Sequence, residues 1–154
     1  MADLVEALRP GPVALDTAIF IYFIEEHPRF MPLLEPLFEA IEAAHVLAVT
    51  SALSLLETLV VPFRAGDRAL TLRYESILTQ SQGLTLVELT VPVLKRAAEL
   101  RASAGLKTPD AIQLAAALSA GCTAFLSNDR RISSAQRLRV FQLDDFVSKR
   151  IKDQ

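Results

Sequence analysis

Apolar residues along the chain form short continuous runs, separated by longer segments in which they recur every three or four positions. Runs of strand length that end at polar or turn-forming residues predict strands. The predicted strands are 12–15, 45–50, 84–89, 123–127 and 139–143. Strands that alternate with helical segments are typical of a parallel sheet covered on both faces. The pattern therefore predicts an α/β domain with about five strands.

The longer segments between these runs predict helices. In the segment 29–44, Leu33, Leu37 and Ile41 recur at helical spacing and form one apolar face. The predicted helices are 17–26, 29–44, 51 to about 62, 66 to about 82, 92–104, 108–121 and a brief one after 143. Each of them links two predicted strands or follows the last one, as a βα pattern requires.

Residues with strong positional preferences set the expected helix ends. We expect Ser51 and Thr108 to act as N-caps, with Pro109 at the first helical position after Thr108. We expect Gly66 to open a helix and Gly105 to end one.

Length and composition limit the class of protein. A chain of 154 residues with 51% hydrophobic residues predicts a single folded domain over 1–154. Cys122 is the only cysteine, which excludes an intramolecular disulfide and a cysteine-based zinc site. With no signal peptide in the first ten residues, we expect a cytoplasmic protein. The apolar stretch 10–24 contains Asp16 and is shorter than the roughly 20 residues of a membrane span, so we expect no membrane association.

The formal net charge of −2 argues at first against a nucleic-acid-binding protein. The charges are, however, unevenly distributed. Residues 1–77 carry 11 acidic and 5 basic side chains, whereas residues 78–154 carry 7 acidic and 11 basic ones. The chain thus has an acidic half with net charge −6 and a basic half with net charge +4.

Four carboxylates stand apart from the acids on polar helix faces. Asp16 ends the first predicted strand, and Asp129 follows the fourth strand within Ser127-Asn128-Asp129. Glu57 lies in an apolar segment, where an unpaired carboxylate costs several kcal/mol. Asp110 occupies the start of the helix that opens at Thr-Pro.

The predicted topology brings these four side chains to one edge of the sheet. Asp16 and Asp129 follow the carboxyl ends of their strands, and Glu57 is in the second turn of the helix that leaves strand two. The helix that feeds strand four runs antiparallel to it, which returns Asp110 to the same edge. Ligands of parallel α/β sheets bind at that edge.

Four carboxylates that share an edge cannot all remain ionised without a partner, because like charges raise one another's pKa. A divalent cation resolves the conflict, and a set of oxygen ligands without His or Cys suits Mg²⁺ or Mn²⁺. Such ions lower the pKa of a bound water and neutralise charge on a phosphodiester. The pattern therefore points to metal-assisted phosphodiester hydrolysis.

Each residue also has an ordinary structural interpretation. Asp16 could cap the first helix, Asp110 could interact with a helix dipole, and Asp129 could form a turn beside Asn128. Asp16 and Glu57 are harder to explain in this way, because Thr17 could cap the helix in place of Asp16 and the helix of Glu57 supplies that carboxylate with no partner.

Four segments that contain these acids resemble the PIN-domain ribonucleases, and in size and motif spelling the VapC-type toxins of bacterial and archaeal toxin–antitoxin pairs. The matching segments are 15–22 (LDTAIFIY), 50–57 (TSALSLLE), 106–115 (LKTPDAIQLA) and 125–129 (FLSND). Their order and spacing cover most of the chain. Two positions depart from the usual pattern: Ala18 replaces a common Asn, and Ile132 replaces a common aromatic residue.

The resemblance implies a three-layer α/β/α Rossmann-like fold and an acidic site that holds one or two Mg²⁺ or Mn²⁺ ions. It assigns the metal-binding and catalytic roles to the four acids and supporting roles to polar neighbours. These residues are Asp16, Glu57, Asp110 and Asp129, with Thr17, Ser127 and Asn128 in support. It also implies RNA as the substrate, a homodimer and a small antitoxin protein that occupies the active-site groove.

Basic residues beside the acids are candidates for RNA binding, since phosphate contacts dominate affinity. Lys107, Arg130 and Arg131 flank the predicted site, although ordinary surface charge is the slightly favoured interpretation of each one taken alone. Arg130 is the best candidate, because it directly follows Asp129. Two other functions remain open. One is phosphoryl transfer through Asp16, disfavoured because position 18 is Ala; the other is an interaction module that kept the fold without the activity.

Overall fold

The computed structural model describes residues 3–132 and 138–152 and has the expected α/β architecture. The helices are α1 (Leu4–Leu8), α2 (Thr17–Ile24), α3 (Met31–Glu42), α4 (Leu53–Ala65), α5 (Arg68–Gln80), α6 (Val91–Ala104), α7 (Thr108–Ser119) and α8 (Leu143–Lys152). The strands are β1 (Val13–Leu15), β2 (Ala48–Ser51), β3 (Leu84–Val87), β4 (Ala124–Ser127) and β5 (Arg139–Gln142). The predicted strands are confirmed, with ends that agree to within three residues.

The five strands form one parallel sheet in the order β3-β2-β1-β4-β5. The chain moves from β1 to β2 and β3 on one side of the sheet, and then crosses to β4 and β5 on the other. Because the connections diverge at β1, a crevice opens at the carboxyl end of this central strand. The carboxyl edge of β1 is therefore the expected place for a ligand.

Apolar cores cover both faces of the sheet. Val13 and Leu15 of β1 point into a core built with α1, α2, α3 and α8, whereas Ala14 between them points into a core with α6 and α7. Leu126 and Phe125 of β4 divide between the two cores in the same way. Successive residues of a strand face opposite sides. The predicted three-layer α/β/α arrangement is thereby confirmed.

Helix α7 packs against the sheet through small side chains. Ala111, Ala115, Ala116 and Ala117 are all at most 1% exposed. Side chains of this size let the helix axis come close to the strands and to α6. The start of α7, which carries Asp110, is thus held firmly beside the carboxyl edge.

Several predicted helix ends were wrong. Gly66 does not open a helix but ends α4 in the left-handed conformation, at φ 64°, and Asp67 is the N-cap of α5. Lys107 is the N-cap position of α7, so Thr108 is the first helical residue. Both differences are within the one or two residues by which cap positions are ambiguous from sequence.

Ser51 is the last residue of β2 and not the N-cap of α4, a position that Ala52 takes. The Ser51 hydroxyl nevertheless accepts a hydrogen bond from the Leu53 N–H at 3.2 Å. The expected side chain therefore satisfies a backbone donor at the start of the helix from one residue earlier.

The short helix α1 has no counterpart among the predicted elements. Asp3 is its N-cap and accepts a hydrogen bond from the Glu6 N–H, while Leu4 and Leu8 are buried in the core. Five residues are too few for a helical period to be recognised. In the described part of the chain, no helix has the length and apolar character that crossing a membrane requires.

Candidate functional site

Asp16 stands at the crevice above β1 with both carboxylate oxygens engaged. As the N-cap of α2, it accepts a hydrogen bond from the Thr17 N–H at 2.9 Å through Oδ1. Oδ2 accepts a hydrogen bond from the Ser127 hydroxyl at 2.8 Å. Asp16 therefore performs the ordinary capping role, and the cap also fixes its side chain at the carboxyl edge.

The environment of Asp16 opposes ionisation. Burial raises the pKa of Asp16, the hydrogen bonds from Ser127 and Thr17 lower it, and the negative charges of Asp110 and Glu57 raise it again. The net pKa is above the usual range. Asp110 and Glu57 are therefore close enough to Asp16 for their charges to act on it.

Glu57 has a partner that its own helix could not supply. The Thr17 hydroxyl donates to Glu57 Oε1 at 2.7 Å. Thr17 is buried at the start of α2, and Glu57 is partly buried in the second turn of α4. One oxygen of the carboxylate is thus directed toward the end of β1.

A buried group of neutral side chains surrounds this contact. Gln113 of α7 donates through Nε2 to Thr17 Oγ1 at 3.1 Å and to Ser54 Oγ at 2.9 Å. Ser54 also lies 2.7 Å from the Thr50 hydroxyl, which donates to the Leu15 carbonyl at the end of β1. We call these four side chains, Thr17, Thr50, Ser54 and Gln113, the hydroxyl–amide cluster.

Sequence reasoning identified Thr17 but missed the other three members of the hydroxyl–amide cluster. One signal was present: Gln113 is the only polar side chain between Asp110 and Ser119. A single polar residue within an apolar helical run indicates a buried hydrogen-bonded group.

Asp110 and Asp129 form the other part of the acidic edge. Burial raises the pKa of Asp110, the nearby charge of Asp129 raises it further, and Arg131 and Lys107 lower it in part. Asp129 is half-buried like Asp110, and its hydrogen bonds with Arg131 hold its pKa below the usual range. The carboxylates of the edge therefore differ strongly in their environment.

The residues that follow β4 connect the two parts of the edge. The buried Ser127 hydroxyl, which donates to Asp16, also accepts from the Asp129 N–H at 3.0 Å. Asn128 accepts from the Asp144 N–H at 3.1 Å and so ties the same loop to α8. Asp129 accepts from the Arg131 N–H within its own turn, which is the turn-forming role considered above.

Two of the three basic candidates are paired with carboxylates. Arg131 donates to both oxygens of Asp129, from Nε to Oδ1 at 3.0 Å and from Nη2 to Oδ2 at 2.6 Å. Arg130 binds Asp145 at 2.5 Å. Lys107 is exposed beside Asp110. Arg131 and Lys107 therefore lie beside the acids of the edge, whereas Arg130 is engaged by a carboxylate of α8.

The described residues contain no group of three or more Asp, Glu, His or Cys side chains close enough to hold a metal ion. In the conformations present, Glu57 is turned to Thr17, Asp16 to Ser127 and Asp129 to Arg131. The chemistry of the four acids nevertheless fits a hard cation, since their donors are all oxygen. The raised pKa of Asp16 and of Asp110 shows that added positive charge would be favourable there.

Fold and site together define an α/β protein with an acidic, oxygen-lined edge at the carboxyl end of a parallel sheet. The family model of the PIN domain matches residues 13–138 of the chain. The chain therefore belongs to the PIN domain family. No match was found among curated protein sequences.

Solved structures with the same fold include toxin–antitoxin proteins. A VapBC2 complex from Rickettsia felis, bound to a DNA fragment from its promoter, is similar with a TM-score of 0.66 and 15% identity, covering 84% of this chain and 97% of that chain. A toxin–antitoxin complex from Klebsiella pneumoniae is similar with a TM-score of 0.62 and 19% identity, covering 82% of this chain and 94% of that chain. VapC20 from Mycobacterium tuberculosis, a sarcin-ricin loop cleaving toxin, is similar with a TM-score of 0.59 and 16% identity, covering 73% of this chain and 86% of that chain. At these identities the similarity concerns the fold.

Proposed function

We propose that this protein is an endoribonuclease that uses Mg²⁺ or Mn²⁺ to hydrolyse RNA phosphodiester bonds. The observation that carries the proposal is the edge itself: Asp16 and Glu57 are fixed at the end of β1, within electrostatic reach of Asp110. Membership of the PIN domain family supports it.

The side chains have distinct roles in this proposal. Asp16, Glu57, Asp110 and Asp129 would hold one or two ions. Ser127 and Thr17 keep the carboxylates of Asp16 and Glu57 aimed at the crevice. An ion held there supplies charge neutralisation for the phosphodiester and a lower pKa for a bound water.

Lys107, Arg130 and Arg131 would bind the phosphates of the RNA beside the acids. In the free protein, Arg130 and Arg131 are paired with Asp145 and Asp129, and both pairs are solvent-exposed. Exposed ion pairs are weak, so a phosphate can replace the carboxylate at low cost.

The decisive experiment is RNA cleavage by the purified protein with Mg²⁺ or Mn²⁺. We expect cleavage that a chelator abolishes and that Asp16→Asn reduces by at least about a hundredfold, because an acid that touches the reaction is lost. The matched control is Asp3→Asn, which makes the same chemical change at the N-cap of α1.

Equal cleavage by the wild-type protein and Asp16→Asn would identify a contaminating nuclease and reject the proposal. Absence of cleavage by wild-type protein with either ion would favour an interaction module that retained the fold alone.

We further propose that the protein is the toxin of a cytoplasmic toxin–antitoxin pair, neutralised by a small antitoxin, and that it forms a homodimer. The fold similarity to toxin–antitoxin complexes supports the first part. Exposed apolar side chains on α4, Leu56, Val61 and Phe63, support a protein partner, because such surfaces mark interaction sites. A small reading frame beside the gene, whose product copurifies and blocks cleavage, tests the antitoxin; light scattering tests the dimer.

A further inference from the structure

Gln113 is a buried amide with no role in the function proposed above. It lies on α7 one turn after Asp110, with 3% of its surface exposed. Its contacts reach two other helices, Thr17 at the start of α2 and Ser54 in the first turn of α4. One side chain therefore joins the three helices that carry Asp16, Glu57 and Asp110.

Counting hydrogens in the hydroxyl–amide cluster shows what this amide contributes. The Thr50 hydroxyl donates its hydrogen to the Leu15 carbonyl, and the Thr17 hydroxyl donates its hydrogen to Glu57. Only the Ser54 hydroxyl keeps a hydrogen for its contacts with Thr50 at 2.7 Å and Thr17 at 3.0 Å. Each hydroxyl has a single hydrogen, so the three hydroxyls cannot supply a donor for every acceptor position in the cluster. The two hydrogens on Gln113 Nε2 fill one such position on Thr17 Oγ1 and one on Ser54 Oγ.

The orientation of the amide follows from its surroundings. Gln113 Oε1 faces the Ser51 N–H at 3.4 Å, and an N–H can only donate. If the amide were reversed, its oxygen would face Thr17, whose single hydrogen is already donated to Glu57. The Gln113 amide must therefore be the donor toward Thr17.

We infer that Gln113 is a positioning residue for the acidic edge: its amide orients the Thr17 hydroxyl so that this hydroxyl donates to Glu57. The inference rests on the proposed function, because it gives Gln113 a task in preparing Glu57 to bind an ion. Gln113 donates to a lone pair of Thr17 Oγ1, so the hydrogen of the Thr17 hydroxyl remains directed at Glu57. Gln113 itself is buried behind Thr17 and contacts neither ion nor RNA in this arrangement.

The expected effects follow from this indirect role. Loss of a side chain that orients metal ligands lowers metal affinity or activity by about 10- to 100-fold. We therefore expect Gln113→Met, which keeps the length of the side chain without its hydrogen bonds, to bind Mn²⁺ at least about tenfold more weakly. Its kcat should fall while KM for RNA stays unchanged, because no contact with RNA is lost.

The test measures Mn²⁺ binding by electron paramagnetic resonance, RNA cleavage, and urea unfolding to verify that each variant is folded. Thr17→Val serves as the partner in a double-mutant cycle. If Gln113 acts through Thr17, the double variant loses no more Mn²⁺ affinity than Thr17→Val alone. Thr71→Val is the matched control, because its buried hydroxyl bonds only within the first turn of α5; we expect it to keep wild-type affinity.

Wild-type affinity and kcat in folded Gln113→Met, or losses that add to those of Thr17→Val, would overturn the inference. A wild-type protein that neither binds Mn²⁺ nor cleaves RNA would instead overturn the proposed function. If Gln113→Met does not fold, the inference is tested on wild-type protein by the NMR resonance of the Gln113 side-chain amide during a titration with Mg²⁺. We expect Mg²⁺ to shift it more than that of the exposed Gln80, and an equal or smaller shift contradicts the inference.

Discussion

The two sides of the acidic edge are held by different forces. On the β2 side, Glu57 is fixed by the Thr17 hydroxyl within the buried hydroxyl–amide cluster. The opposite side of β1, which β4 and β5 form, is called the β5 side. There Asp129, which follows β4, is bound by the guanidinium group of Arg131, whose side chain is 68% exposed. Hydrogen bonds from uncharged side chains hold one side, and a solvent-exposed ion pair holds the other.

The difference matters because the two kinds of contact respond differently to water and salt. A buried donor that loses its partner pays its full desolvation cost, so the hydroxyl–amide cluster tolerates little rearrangement. An exposed ion pair is screened by solvent and can exchange one partner for another. We therefore expect the β2 side to set the geometry of the edge and the β5 side to rearrange more readily, as the proposed binding of RNA would require.

The largest expected effect on stability comes from Thr17→Val. The substitution leaves a donor of Gln113 without its acceptor and a partly buried carboxylate without its donor, which should lower the free energy of unfolding by about 1–3 kcal/mol. Urea unfolding measures it. The control Thr71→Val removes a buried hydroxyl that bonds only within its own helix turn, and should cost less. Equal losses in the two variants would mean that the cluster adds nothing beyond one buried hydroxyl.

Asp16→Asn should have a smaller effect of the opposite sign, raising the free energy of unfolding by about 0.5–2 kcal/mol at neutral pH in a chelator. Burial and the charges of Asp110 and Glu57 raise the folded-state pKa of Asp16 above its unfolded value. The protonated carboxyl therefore contributes stability below the unfolded pKa, and this contribution is lost as pH rises through the folded pKa.

Urea unfolding as a function of pH measures this effect. The stability advantage of Asp16→Asn should disappear in acid, where the wild-type carboxyl is itself protonated. A variant less stable than the wild-type protein at neutral pH would show that the cap and the Ser127 contact outweigh the electrostatic strain.

The smallest effect is expected from Arg131→Gln. Arg131 lowers the pKa of Asp129, so the pair stabilises the fold above the unfolded pKa of Asp129 and loses this effect as pH falls through the folded pKa. The variant should lose less stability than Thr17→Val, and the difference from wild type should vanish both in acid and in concentrated salt. Measurement of unfolding at low and high salt checks this. A loss that persists in salt would place Arg131 in the rigid part of the site and remove the contrast between the two sides.

The pattern of residues was sufficient for the fold because it depends on local and repeated signals. Apolar runs identified all five strands, and the order of helices and strands implied a parallel sheet. The same topology predicted that Asp16 and Glu57 approach each other at one edge. The errors are the missed five-residue helix α1 and several element ends, such as Gly66, where a helix end and the next helix start lie within two positions.

The partners within the site could not be predicted in the same way. Gln113 and Thr17 are 96 positions apart, and their contact depends on how closely α7 approaches α2. The sequence showed no partner for Glu57 on its own helix, whereas the structure shows that Thr17 supplies one across 40 positions. The pairing of Arg131 with Asp129 is local, but whether an exposed arginine chooses a neighbouring carboxylate or solvent is decided by side-chain geometry.

The buried alanines of α7 bear on how a protein of this design can change over evolutionary time. Ala111, Ala115 and Ala117 have no exposed surface, so a larger side chain at any of them would overpack the interior, at a typical cost of about 1–3 kcal/mol. The helix that carries Asp110 is consequently closed to gradual enlargement. Sequence change is instead expected to accumulate in exposed elements such as the outer face of α4, where Leu56 and Phe63 can be replaced without disturbing the interior.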